Sequence, residues 1–178
     1  MQPTLRSLAL LALGFGLLLL QSMLGSVVPL HPFAPNLLLP IVLFLGVAPD
    51  VHLLRGAVLA FVLGYLLDLF SGNRMSLHTF ICVATFMLAR GAGLRLFLRG
   101  PGFQVALTFV VALVAGGAMM ALRAIFSRPA PFPAGTAAET AIALGAPAVA
   151  TALTAPLVFA ATTKIDQSVG TKREESTA

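Results

Sequence analysis

The stretch Gly56-Ala-Val-Leu-Ala-Phe-Val-Leu-Gly-Tyr-Leu-Leu-Asp-Leu-Phe-Ser-Gly72 decides the fold, because it is almost wholly apolar and yet carries one carboxylate near its end. Its small residues and that carboxylate recur every four positions: Gly56, Ala60, Gly64, Asp68 and Gly72. In an α-helix, residues i and i+4 lie on nearly the same face. The stretch therefore predicts a helix with a small-residue groove into which another backbone packs closely.

The composition of the whole chain is that of an integral membrane protein. Of its 178 residues, 58% are hydrophobic and 10% are charged, with a mean hydropathy of +0.99, whereas a soluble domain has roughly 25% charged residues. The length holds about six spans of roughly 20 residues and little else. The net charge of +5 comes from Lys and Arg scattered between apolar runs, which favours a role in topology over nucleic-acid binding.

Six hydrophobic segments predict an all-α membrane protein with six transmembrane helices. The predicted spans are residues 7–28, 36–49, 53–70, 77–92, 103–126 and 138–163. They form one transmembrane domain, residues 1–164, and a polar cytoplasmic tail follows at 165–178. The second segment reaches only about 20 Å, so it is either a short, tilted span or a re-entrant piece. We favour the tilted span. Residues 71–76 are rich in turn-forming residue types, which predicts a tight antiparallel hairpin of the third and fourth helices.

The basic residues predict the orientation of these spans. If both termini are cytoplasmic, eight basic residues lie on the cytoplasmic side: Arg6, Arg55, Arg90, Arg95, Arg99, Lys164, Lys172 and Arg173. Three lie outside: Arg74, Arg123 and Arg128. Cytoplasmic loops carry an excess of Lys and Arg, so the count agrees with six spans.

Asp68 has two interpretations. A charge facing lipid costs at least ~2.5 kcal/mol, so Asp68 should point into the bundle. It is either a proton or substrate site, coupled to His78 across the hairpin, or a structural acceptor for donors of the turn that pairs with Arg74. We favour the structural role, because the turn donors are adjacent and no second membrane acid is available to continue a relay.

Other features indicate no catalytic, cofactor or metal site. His31 and His52 are predicted on opposite sides of the membrane, and Cys82 is the single cysteine. Neither a Gly-x-Ser-x-Gly motif nor a phosphate-binding Gly-rich loop occurs. The chain is therefore not expected to be an enzyme.

Two further segments could contact lipid or a partner. The basic stretch from Arg90 to Gly100 is either topological or a contact for anionic lipid. On the fifth helix, Ala112, Gly116 and Met120 form a second face of small or slender side chains. Such a face packs within the monomer or docks the transmembrane helix of a partner.

Three elements in order resemble the MreD family of rod shape-determining membrane proteins. They are Pro35-Asn-Leu-Leu-Leu-Pro-Ile-Val-Leu-Phe-Leu-Gly46, then Arg55-Gly56, then Gly64-Tyr-Leu-Leu-Asp-Leu-Phe-Ser-Gly72. The resemblance covers about residues 33 to 90. One departure is Ser76, which stands where the family usually has glycine.

This resemblance implies a non-enzymatic subunit of the bacterial cell-wall elongation machinery in the inner membrane. Its partner would be an MreC-like bitopic protein, linked to the RodA glycosyltransferase, a penicillin-binding transpeptidase and MreB filaments. It implies a fold similar to the substrate-binding components of energy-coupling-factor transporters. The structural or partner-binding candidates are Gly56, Gly64, Asp68, Gly72, Arg74 and His78.

The same similarity provides an alternative function, a small-molecule (vitamin) binding subunit of a membrane importer. Such a subunit needs a polar, aromatic pocket between the outer ends of the helices. The chain has no Trp and one Tyr, Tyr65.

Overall fold

The computed structural model describes residues 2–27, 35–48, 51–71, 76–91, 100–126 and 137–175. Over these residues the chain forms helices and no strand. The helices are α1 (Gln2–Val27), α2 (Leu38–Val47), α3 (Leu53–Ser71), α4 (Leu77–Gly91), α5 (Pro101–Phe126) and α6 (Ala137–Glu175). The prediction of an all-α protein is confirmed.

Four of the helices are long and apolar enough to cross a membrane: α1, α3, α5 and α6. The other two are shorter, with ten residues in α2 and fifteen in α4. At 1.5 Å per residue they measure about 15 and 22 Å, less than a hydrocarbon core of roughly 30 Å. The chain is thus a membrane protein with four candidate spanning helices, and the count of six spans stays a prediction.

Helix α2 lies at the centre of the bundle. All ten of its residues are buried, and it contacts each of the other helices. A helix that is apolar on every face is a core helix. Asn36 Oδ1 accepts from Leu38 N, Gln21 Oε1 accepts from Leu37 N, and Thr151 Oγ1 accepts from Asn36 N. These acceptors satisfy the amides around its first turn, which have no partner within the helix.

Helices α3 and α4 form the predicted antiparallel hairpin. At one end the start of α4, at His78, contacts Asp68 near the end of α3. At the other end Gly56, near the start of α3, faces the ring of Phe86 in the second half of α4. The two helices therefore run in opposite directions.

Arg90 joins the end of α4 to the connection between α2 and α3. Its guanidinium donates to the carbonyl oxygens of Ala48 and Val51, each at 2.7 Å. Both of those residues are buried. Arg90 thus has a structural role in addition to its predicted topological one, whereas the rest of the basic stretch, residues 92–99, lies outside the described residues.

Replacing Arg90 with methionine should destabilise the protein, because two buried carbonyl groups lose their donors, at about 1–3 kcal/mol for a buried group left unsatisfied. The thermal unfolding midpoint in mild detergent measures the effect. Arg55→Met is the matched control, since Arg55 is exposed on α3. Equal midpoints for the two variants would contradict the role assigned to Arg90.

Helix α6 extends beyond its predicted end. It continues through Pro147 and Pro156 to Glu175, so most of the stretch predicted as a polar tail, residues 165–178, is helical. The hydroxyls of Thr151, Thr162 and Thr163 donate to carbonyl groups four residues earlier in the same helix. Thr151 Oγ1 also accepts from Asn36 N, so this hydroxyl bonds both within α6 and to the segment before α2.

Candidate functional site

The small-residue face of α3 is covered by other parts of the same chain. Gly56, Ala60, Gly64 and Asp68 are all buried, and α3 packs extensively on α4. Gly72 and Arg74, the other two candidates on this hairpin, lie outside the described residues. At Gly64 the predicted groove therefore receives the backbone of α4 of the same chain.

Gly64 marks the closest approach of the two helices. A Cβ atom at this position would lie 2.6 Å from the Cα of Thr79 and 3.1 Å from the carbonyl oxygen of His78. Both of these are backbone atoms, which cannot rotate away. Only glycine fits here without moving α4.

Two further glycines leave space for side chains of α4. At Gly56 an added Cβ would collide with the ring of Phe86, and at Gly46 it would lie 2.7 Å from the Cβ of Ala89. Gly46 was part of the family resemblance but not one of the site candidates. In the sequence Gly46 follows an apolar run, and this position alone does not indicate which residue packs against it.

The carboxylate of Asp68 accepts four hydrogen bonds from the first turn of α4. Oδ1 accepts from the backbone N of His78 at 3.0 Å and contacts His78 Nδ1 at 2.9 Å. Oδ2 accepts from the backbone N of Thr79 at 3.0 Å and from Thr79 Oγ1 at 2.7 Å. Asp68 itself is only 4% exposed. Each oxygen thus has one backbone and one side-chain partner.

These bonds make Asp68 the N-terminal cap of a neighbouring helix. The first amides of a helix have no partner within it and are usually capped by a residue just before the helix. Here a carboxylate ten residues earlier in the chain satisfies the amides of His78 and Thr79, and the positive end of the α4 dipole favours its negative charge. The site fixes the start of α4 on the end of α3.

The described donors to Asp68 can be compared with those that the two interpretations expected. The structural interpretation placed them in the turn at residues 71–74, of which residues 72–74 lie outside the described residues; the four described donors belong to α4. The contact with His78, expected under the proton-site interpretation, is present. Pairing with Arg74 falls outside the described residues.

Ser76 enters α4 with a left-handed backbone. Its φ is +81°, a conformation that favours glycine, and its carbonyl accepts from Phe80 N at 2.9 Å. Ser76 is the position at which the resemblance to the MreD family led us to expect glycine. The chain thus has serine, where the family usually has glycine, at a position whose backbone conformation favours glycine.

Ser76→Gly should therefore stabilise the protein slightly, by about 0.5 kcal/mol. It relieves a left-handed conformation that costs roughly 1 kcal/mol, and the added chain entropy of the unfolded state offsets part of that gain. A chemical denaturation curve in detergent measures it. Ser71→Gly, at the helical end of α3, should be neutral or destabilising. A loss of stability at Ser76 would argue against this reading of the turn.

A cavity of about 430 Å³ lies beside this cap, between α3, α4, α5 and α6, with Leu39 of α2 at its inner side. Its polar lining consists of Asn36, His78, Arg123 and Thr151, and the remaining described lining is aliphatic or sulfur-containing. Small and slender residues of α5, Ala112, Gly116 and Met120, form one wall. The face predicted for lateral packing on α5 therefore borders a cavity.

Comparisons with known proteins add no assignment. A scan against protein-family models, a search of curated proteins and a search of solved structures each find no match to this chain.

Proposed function

We propose that this chain is a non-enzymatic membrane scaffold of the bacterial cell-wall elongation machinery, similar to MreD, that binds an MreC-like bitopic partner in the inner membrane. The main support is the structural role of Asp68, which belongs to the Asp-Leu-Phe-Ser-Gly element of the resemblance. Its carboxylate is buried and accepts four hydrogen bonds from α4. An acid used in this way holds a hairpin in place.

The outward surface of the bundle supports binding through lateral helix packing. Within the apolar window of α5, only 6% of the residues are buried, and Val110 and Val114 are exposed. Helix α1 likewise exposes Leu8 and Met23. A partner with a single transmembrane helix would pack on such a surface through van der Waals contacts.

Co-purification from membranes in mild detergent tests the proposal. We expect a single-span protein with a large periplasmic domain to be retained. Photo-crosslinking residues at Val110 and Val114 on α5, and at Leu8 and Met23 on α1, then report which helix it contacts. Buried Leu63 of α3 is the control position. Recovery of no such protein would contradict the proposal.

The importer alternative is favoured only by the presence of the cavity. Its volume of about 430 Å³ lies in the range of ligand pockets, about 300–1,000 Å³. However, no Phe or Tyr occurs among the described residues that line it. Retention of an ATPase transporter module in the same co-purification would support this alternative.

A further inference from the structure

We propose that the cavity between α3, α4, α5 and α6 binds an anionic phospholipid of the surrounding bilayer, with the headgroup at Arg123 and an acyl chain along α5. This inference goes beyond the scaffold function and does not depend on the identity of the protein partner. It rests on three features of the cavity: unpaired donors at one end, a smooth apolar wall, and a location in the outer shell of the bundle.

The donors at the polar end are available to a ligand. Arg123 is exposed, and its guanidinium makes no hydrogen bond or ion pair to any described residue. Asn36 uses its Oδ1 for Leu38 N, and its Nδ2 has no acceptor in the described part of the chain. No Asp or Glu occurs among the described residues that line the cavity, and the carboxylate of Asp68 accepts from His78 and Thr79 of α4. The unneutralised charge is therefore positive, and it suits an anion.

The wall of the cavity suits a hydrocarbon chain. Ala112, Gly116 and Met119 of α5 and Leu144 of α6 are among the residues that line it. A Cβ at Gly116 would lie 3.2 Å from Leu144 Cδ2, so any larger residue there narrows the space. From Arg123 to Ala112 the helix rises about 16 Å, which is comparable to half of a hydrocarbon core of roughly 30 Å.

The location favours a lipid over a soluble anion. Arg123 lies in the last turn of α5, and a basic residue at the end of a span sits at the level of the headgroups. Exposed residues of α5 recur every three or four positions, as at Val110, Val114 and Ala118, so one side of this helix faces the acyl chains. A phospholipid bound here would keep its phosphate group at the level of the headgroups, at Arg123, and its acyl chain within the hydrocarbon core, beside Gly116.

Native mass spectrometry of the full chain, extracted from nanodiscs with equal amounts of phosphatidylglycerol and phosphatidylcholine, tests this site. We expect retention of one phosphatidylglycerol in clear excess over phosphatidylcholine. Arg123→Gln should reduce that preference about tenfold, the effect of losing one charge-assisted contact. Arg55→Gln, at an exposed arginine of α3, should leave it unchanged.

The apolar half of the site is tested separately. Gly116→Leu should lower retention of both lipids, whereas Gly117→Leu, where an added Cβ meets nothing within 4 Å, should not. Equal retention of the two lipids by the wild type, or equal losses in the Arg123 and Arg55 variants, would overturn the proposal. So would displacement of the lipid by inorganic phosphate at low concentration, since the site would then belong to a soluble anion.

Discussion

Asp68→Asn should destabilise the hairpin of α3 and α4. Asparagine retains one acceptor oxygen and replaces the other with an NH2 group. Each carboxylate oxygen of Asp68 accepts from a backbone N–H, of His78 or of Thr79. In either orientation the new NH2 group therefore faces a backbone donor that cannot reverse its role, and a buried donor without a partner costs about 1–3 kcal/mol.

Because Asp68→Asn is expected to destabilise the hairpin, a loss of function in this variant does not by itself indicate a proton relay. If Asp68 accepted only from the turn, an amide could replace it, and a loss of function would indicate a proton relay. Because the four described donors belong to α4, the substitution alters the structure first. Stability and partner retention must therefore be measured on the same preparation.

The measurement is the free energy of unfolding in mixed micelles, with Thr85→Val as the control on the same helix, where no hydrogen bond to Asp68 exists. Asp68→Ala should lose more than Asp68→Asn, because both backbone amides then lack an acceptor. Thr79→Val should lose less, because only the hydroxyl bond of 2.7 Å disappears. An Asn variant as stable as the wild type, but without partner retention, would speak against the cap and for a proton-linked role.

Gly64→Ala should destabilise the protein although alanine is the better helix former. The added methyl group would lie 2.6 Å from the Cα of Thr79, so α3 and α4 must move apart. Overpacking of this kind costs about 1–3 kcal/mol, and the movement also stretches the four bonds to Asp68. The loss should exceed the helix-propensity gain of roughly 0.5–1 kcal/mol.

Gly16→Ala and Gly117→Ala are matched controls, because an added Cβ at either position meets nothing within 4 Å. Both should be neutral or slightly stabilising. The same unfolding measurement compares the three variants. If Gly64→Ala matched the controls, the close approach of α3 and α4 would not hold the hairpin together.

A local pattern was sufficient to predict much of the fold. The apolar runs predicted the helices, and the ends of the helices lie within two residues of the predicted ends except at the start of α1 and the end of α6. The spacing of four residues placed Gly56, Ala60, Gly64 and Asp68 on one face of α3. Periodicity follows from the geometry of a single helix, so it requires no knowledge of neighbours.

Which residues pack against the small-residue face of α3 could be learned only from the tertiary structure. A sequence pattern shows that a glycine leaves space, but not that the backbone of Thr79 fills it. Likewise the acceptors for Arg90, Ala48 and Val51, lie 42 and 39 positions away in the chain. Contacts of this kind are decided by how the helices pack, and no local spacing indicates them.

The sequence by itself determined that this is an all-helical membrane protein with a small-residue helix face ending in Asp68, because hydropathy and helical periodicity are local properties. Only the tertiary structure decided that α2 is a buried core helix, that α4 occupies the face of α3, and that Asp68 caps α4. The physical reason is that burial and hydrogen-bond pairing depend on which helices meet.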